Sequence, residues 1–282
     1  MVSTSDSSQQ FSKEDYPVAI NTRDYLRQLE IVQDIVGREP PPDYSTSIDN
    51  LENLQQLETE KSQLSKVTLT TLTAFFVMGL TTFSVAWLFM LFAWRPAVRL
   101  EKVSRLIRLI TEILEAFEEM RVEMLPLLKV PKCEPIDLFV RFPGKEFLLF
   151  SVRSYGDSAV VYHETKQALY HKRVKRQGLS RCKPDPLIEL TEQEFWLRKN
   201  RKDLFGGSAK GSRRPMAKVV VIWKPSRLFE HREHLYSTLS DQRFVFIRKE
   251  GGAYYLIYRD QVIDFIRAYL AHRQSQEREK AA

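Results

Sequence analysis

Between Lys166 and Lys218 stand fifteen Lys or Arg residues and five Asp or Glu, a local cationic excess that can neutralise phosphates or other anionic groups. Lys172, Arg173, Lys175 and Arg176 form one cluster, and Arg198, Lys199, Arg201 and Lys202 a second. Lys210, Arg213 and Arg214 follow on the glycine-rich run Gly206 to Ser212. Tyr170, Phe195 and Trp196 lie close enough in sequence to offer rings on which bases could stack. Charge alone does not choose its polyanion, so nucleic acid, anionic lipid, an acidic protein surface and plain solvent are all compatible partners for this region. The glycine-rich run lacks the G-x-x-x-x-G-K spacing of a phosphate loop and is a loop only.

Other chemistry-bearing residues are few. Cys133 and Cys182 are the only cysteines, without C-x-x-C spacing, and read as two free thiols. His231 and His234 have the H-x-x-H spacing of a metal pair, but no further His or Cys stands nearby to complete a site, so no metal is expected. Nucleophile-elbow, zinc-protease, dinucleotide and kinase signatures are absent from the sequence.

These residues must be positioned by the segment 131–273, whose alternation of apolar runs and turn signals indicates an α/β domain. Five strands are expected: Ile136 to Phe142 and Glu146 to Arg153 joined at Pro143-Gly144, then Ala217 to Trp223, Arg243 to Arg248, and Ala253 to Tyr258. Helices are expected from Glu164 to Arg176, from Thr191 with a Thr-x-x-Glu capping box to Glu194, and after Asp260. The fold class is therefore α/β, with a mixed five-stranded sheet and flanking helices. Residues 274–282 read as a disordered tail.

The N-terminal half differs in character. Residues 1–66 carry twelve acidic and six basic side chains and read as partly disordered, with a short helix near 21–36. The 28 residues from Val67 to Trp94 hold no charge, more than the ~20 a helix needs to cross a bilayer. A single transmembrane helix at 67–94 is expected, with Arg95, Arg99, Lys102, Arg105 and Arg108 placing the C-terminal domain in the cytoplasm and the acidic region opposite. Membrane lipids are then partners. In 95–130, Val103, Leu106, Ile110, Ile113, Phe117, Met120 and Met124 follow at steps of three and four, a juxtamembrane amphipathic helix. That stripe suits either a parallel homodimer or packing on its own domain.

With an Asp on the first expected strand and the second strand ending in Ser151, Val152 and Arg153, the C-terminal half resembles the restriction-endonuclease-like fold. It is similar in particular to the nuclease-related domain of some bacterial membrane proteins. The resemblance implies that Asp137 and an acid two positions before a Lys hold Mg²⁺ and position a water. Here Ser151 stands for the acid and Arg153 for the Lys, which leaves too few carboxylates for a hard cation and a guanidinium that stays protonated. Gln167 and Tyr170 match a glutamine and tyrosine of the following helix in some members. The implied protein is non-catalytic, needs no cofactor, and uses a basic domain to bind a polyanionic or acidic partner. Two alternatives stay open: an active Mg²⁺-dependent nuclease in which Glu134, Glu146 or Glu164 supplies the missing carboxylate, and an accessory subunit of a membrane protein complex.

Overall fold

Asp49 accepts from the backbone N–H groups of Leu51 (2.9 Å) and Glu52 (3.2 Å), capping the orphan donors of the first helix. The computed structural model describes residues 48–281 except 82, 132, 144–145, 174–177, 207–213, 240–241 and 250–251. The expected disorder of the first residues and the helix near 21–36 lie outside the described residues. Helix α1 spans Asn50–Thr81 and α2 spans Phe83–Ala116.

The two helices run back along each other, with Glu60 of α1 ion-paired to Arg99 of α2 at 2.6 Å. This arrangement overturns the expected transmembrane segment. The charge-free stretch is divided into fifteen residues on α1 and twelve on α2, about 22 and 18 Å of helix against a hydrocarbon core of about 30 Å. Among the described residues, no helix is long and apolar enough to cross a membrane. The single-pass localisation falls with it, because the start of α1 touches the domain that was to lie on the other side. Asn50 donates to the Val122 carbonyl (2.5 Å) and accepts from the Met124 N–H (2.8 Å), and Asn53 donates to the Met124 carbonyl (3.0 Å).

The amphipathic helix expected over 95–130 ends at Ala116, and strand β1 (Glu123–Leu128) begins seven residues later. Val103, Leu106, Ile110, Ile113, Phe117, Met120 and Met124 are all buried in one core with Leu138, Val140 and Phe150. The stripe packs on its own sheet, which leaves it no free coiled-coil seam. Full burial of each such side chain contributes roughly 1.5–3 kcal/mol.

The five expected strands are all present as β2 (Ile136–Arg141), β3 (Phe147–Arg153), β7 (Met216–Ile222), β10 (Gln242–Lys249) and β11 (Gly252–Tyr258). With β1 and β9 (Tyr236–Leu239) they form seven strands in the order β1-β2-β3-β7-β11-β10-β9, with β3, β7 and β11 parallel. The expected five-stranded sheet is thus too small, and a second sheet was missed. That sheet has four strands in the order β6-β5-β4-β8: β4 is Ser158–His163, β5 Ala168–Arg173, β6 Ser180–Arg181 and β8 Arg227–Leu228. Over the described part of the helix expected from Glu164 to Arg176, the chain instead forms a turn and strand β5.

One face of the large sheet is covered by α2 and by α4 (Val262–Ala281), which extends through the supposed tail. The other face meets α3 (Pro186–Asn200), a 3-10 turn at Lys202–Phe205 and the small sheet. Helix α3 starts one turn before Thr191, because the Asp185 side chain accepts from the Leu187 N–H (3.1 Å) and Pro186 suits the first helical position. Thr191 and Glu194 are consequently not a capping box. Thr191 hydrogen-bonds Tyr254, and Glu194 pairs with the buried Lys218 of β7 at 2.5 Å. Gly252, at φ +129°, leaves room for that lysine, since a Cβ there would lie 2.5 Å from Nζ.

Two stability predictions arise here. Replacing Asn50 with Ala removes two of the three side-chain bonds that α1 makes at the start of β1, and chemical denaturation should show a loss of roughly 1–3 kcal/mol. Glu146, buried in the turn before β3, has its carboxyl pushed up to about 7 by burial and by Glu277, against the pull of Arg214 and Arg273. Its folded pKa exceeds its unfolded value, so its contribution is full below about 4.5 and is lost as pH rises through about 7. Glu146→Gln should melt with the parent at pH 4.5 and above it at pH 8, by at most roughly 3 kcal/mol.

Candidate functional site

The antiparallel pairing of β2 with β3 puts Leu138 opposite Phe150, so Asp137 and Ser151 are neighbours and Arg153 lies one step beyond on the same face. The structure therefore brings together the three residues singled out on the sequence. Their chemistry is closed. Asp137 Oδ2 accepts from the Val152 N–H at 2.7 Å and faces Arg153 at 3.8 Å, while Oδ1 meets Lys102 Nζ of α2 at 2.6 Å.

Arg153 in turn donates to Glu189 of α3 at 2.5 Å. Burial works against the Arg153 charge, but Asp137 and Glu189 overcome it and hold the guanidinium above its ordinary pKa. Burial likewise raises the Glu189 carboxyl, against the opposing pull of Arg153. The Ser151 hydroxyl is buried with no hydrogen-bond partner among the described residues. Lys102 and Arg153 thus supply the positive charge that a hard cation would bring. The described residues contain no group of three His, Cys, Asp or Glu able to hold a metal, and the donor set here does not suit Mg²⁺.

Sequence reasoning missed Lys102 and Glu189. Glu189 was detectable from the Asp185-Pro186 start signal, which sets it in the first turn of α3. Lys102 carried no local signal. Two of the proposed substitute acids are elsewhere: Glu146 lies at the far end of β3, and Glu164 sits in the β4–β5 turn, where it pairs with His234 at 2.8 Å. Glu134 offers its carbonyl to Gln193 (3.0 Å), and its charge, like that of Asp137, helps to raise the Glu189 carboxyl. Gln167 is in that same turn, not on a helix, at φ +46° with its carbonyl accepting from Lys249 (2.9 Å).

The remaining reactive groups have structural duties. His231 is buried and accepts at Nε2 from the Tyr162 N–H (3.0 Å), and burial lowers its pKa. It therefore does not converge with the exposed His234 on a metal. Burial raises both thiols, that of Cys182 to about 11, which makes them poor nucleophiles near neutrality.

The basic residues divide more sharply than their sequence suggests. Lys175, Arg176, Lys210 and Arg213 lie outside the described residues. Arg198 is tied to Glu194 (2.7 Å) and the Arg214 carbonyl (2.9 Å) and covers the Phe205 ring, and Arg201 is tied to Asp203 (2.8 Å). Lys199 and Lys202 are exposed at the end of α3 and in the turn after it.

Lys172 and Arg173 stand on β5, where burial alternates strictly across the neighbouring β4. Val160 and Tyr162 point to the core, so Ala159, Val161 and His163 form the outer face. The ladder sets Lys172 beside Ala159 and Ala159 beside Arg227, and Tyr170 beside both Val161 and Arg181. Tyr170 is therefore the aromatic centre of an outer face bearing Lys172, Arg181 and Arg227. Lys166 Nζ lies 5.4 Å from the ring centroid of Tyr170, and the His163 ring 5.4 Å from it on another side. Arg227 reaches Asp157 (3.3 Å) in an exposed pair that is weak and open to competition, and Arg181 reaches the buried Asp185 (3.6 Å) from the exposed side.

Comparison with protein-family models, with curated proteins and with solved structures yields no match to this chain, so the functional reading rests on this geometry alone.

Proposed function

We propose that this chain is a non-catalytic binding module that holds single-stranded nucleic acid across the outer face of its four-stranded sheet. The observation that carries the reading is Tyr170, half-buried in a sheet face and surrounded by Lys166, Lys172, Arg181 and Arg227. A ring in such a setting stacks on any base, while the surrounding cations follow the phosphates, which is the usual chemistry of sequence-tolerant single-strand binding. A rigid β-sheet supports the ring and fixes the spacing of the charges.

The nuclease-like reading of the scaffold is part of the same proposal. Support comes from the antiparallel run β1-β2-β3, the return through α3 to a parallel β7, and the meeting of Asp137 with Arg153 at one end of that core. In that reading the metal has been replaced by ion pairs, and the domain binds without cutting. An active nuclease is disfavoured because Asp137 already accepts from the Val152 N–H and is ion-paired with Lys102.

Tyr170→Ala tests the site. Binding of a labelled oligothymidylate, followed by fluorescence anisotropy, should weaken by about 1–3 kcal/mol, roughly 5- to 150-fold. Tyr170→Phe should bind like the parent. Equal affinity of the Ala variant would remove the stacking role.

A further inference from the structure

Where α1, α2 and β1 meet, the structure leaves a cleft of ≈ 950 Å³, a volume within the range of small-molecule sites. It lies away from the outer face of the small sheet. Four cations and two carboxylates line it: Arg95, Arg99, Lys102 and Lys129 against Glu60 and Glu134. Arg99 is held by Glu60 and Lys102 by Asp137. Arg95 and Lys129 carry no ion pair among the described residues. The lining also includes the apolar Trp94, Val98 and Leu127, with the polar Asn53 and Gln56 beside them. Trp94 is 71% exposed and Val98 50%, an unusual state for a tryptophan beside an aliphatic neighbour.

The backbone supplies a second observation. Leu127 has φ +48°, a left-handed conformation that costs a non-glycine residue on the order of 1 kcal/mol or more. The β1–β2 ladder passes directly from Pro126 and Leu138 to Leu128 and Ile136. Leu127 is therefore opposite Asp137, at the step that the ladder skips, and its side chain lines the cleft. Backbone strain at a cavity wall is characteristic of ligand-binding positions.

We infer that this cleft binds an anionic amphiphile, with its carboxylate or phosphate head between Arg95 and Lys129 and its apolar body along Trp94, Val98 and Leu127. Two cations without an ion pair among the described residues, beside apolar side chains, match one anionic head and one hydrocarbon body, and suit neither a neutral lipid nor a highly charged polyanion. Exposed apolar residues continue along α1 at Val67, Leu69, Phe76 and Val77. A ligand body longer than the cleft therefore has an apolar surface beyond it. The same head chemistry is found in a free fatty acid and in an anionic phospholipid.

Calorimetric titration of the full chain with dodecanoate, below its micelle concentration, tests the inference alongside sedimentation with phosphatidylglycerol vesicles. Binding of dodecanoate would identify a free acid as ligand, and binding to the vesicles alone would identify a headgroup. In either case Arg95→Glu/Lys129→Glu should weaken binding at least tenfold with unchanged thermal stability, and Val98→Asp should weaken it as well. Dodecanol should bind at least tenfold less tightly than dodecanoate. The inference is overturned if neither probe binds, if dodecanol binds equally well, or if the double variant binds like the parent. Oligothymidylate affinity should be unchanged in the double variant, which separates failure here from failure of the nucleic-acid proposal.

Discussion

Asp137→Ala should destabilise the protein by roughly 3–5 kcal/mol, the usual cost of removing one member of a buried ion-paired group. The substitution leaves Lys102 without its 2.6 Å partner, deprives Arg153 of one of its two carboxylates and strands the Val152 N–H. A nuclease would behave differently at this position, since metal-binding carboxylates repel one another and their removal commonly leaves stability intact while abolishing cleavage. Here urea denaturation should record a large loss, and no Mg²⁺- or Mn²⁺-dependent cleavage should be detected in either protein. Asp137→Asn, which keeps an acceptor for Val152, should fall between the two. A stable Asp137→Ala variant that had lost metal-dependent cleavage would reverse the assignment of this cluster as structural.

The second large effect is expected on the outer face of the small sheet. Lys172→Glu/Arg181→Glu replaces two exposed cations on either side of Tyr170 with carboxylates. Oligothymidylate affinity at low salt should fall roughly 100-fold, and the slope of log K against log salt should become shallower by about 1.4, two phosphate contacts at 0.7 each. Fold stability should hardly change, because neither residue is buried and the one pair lost, Arg181 with Asp185, is exposed on the arginine side. By contrast, Arg198→Glu or Arg201→Glu lies in the same basic stretch of sequence but removes side chains already bound to Glu194 and Asp203. Those variants should affect stability more than binding.

That contrast shows how much of the molecule can be read from its residues. β2, β3, β7, β10 and β11 were legible because each is an uninterrupted apolar or alternating run between turn residues. β4 and β5 were not. Glu164 to Arg176 is rich in helix formers, and its strand state depends on His231 and Phe229 supplying bonds to β4 from far along the chain. The stripe from Val103 to Met124 obeyed helical spacing through Met120 although the helix had ended at Ala116, because steps of three and four also occur by chance across a turn and a strand.

The divided apolar stretch teaches the same lesson. Hydropathy counts residues but carries no direction, so one long helix and two antiparallel arms have the same composition. The pairing of Glu60 with Arg99 and the contacts of Asn50 and Asn53 with β1 decide between them, and all are long-range. At the candidate site, Asp137, Ser151 and Arg153 could be placed together through a two-strand register. Lys102 and Glu189, which close that cluster, come from helices whose docking no local pattern encodes.

The central claim is most directly tested by titrating the full chain with labelled oligothymidylate across a series of salt concentrations. Binding should weaken linearly in log salt, with a slope of roughly −2 to −3 for the three or four cations around Tyr170, and the slope should be shallower in Lys172→Glu/Arg181→Glu. No binding at the lowest salt, or binding whose salt slope is the same in the parent and this double variant, would contradict it.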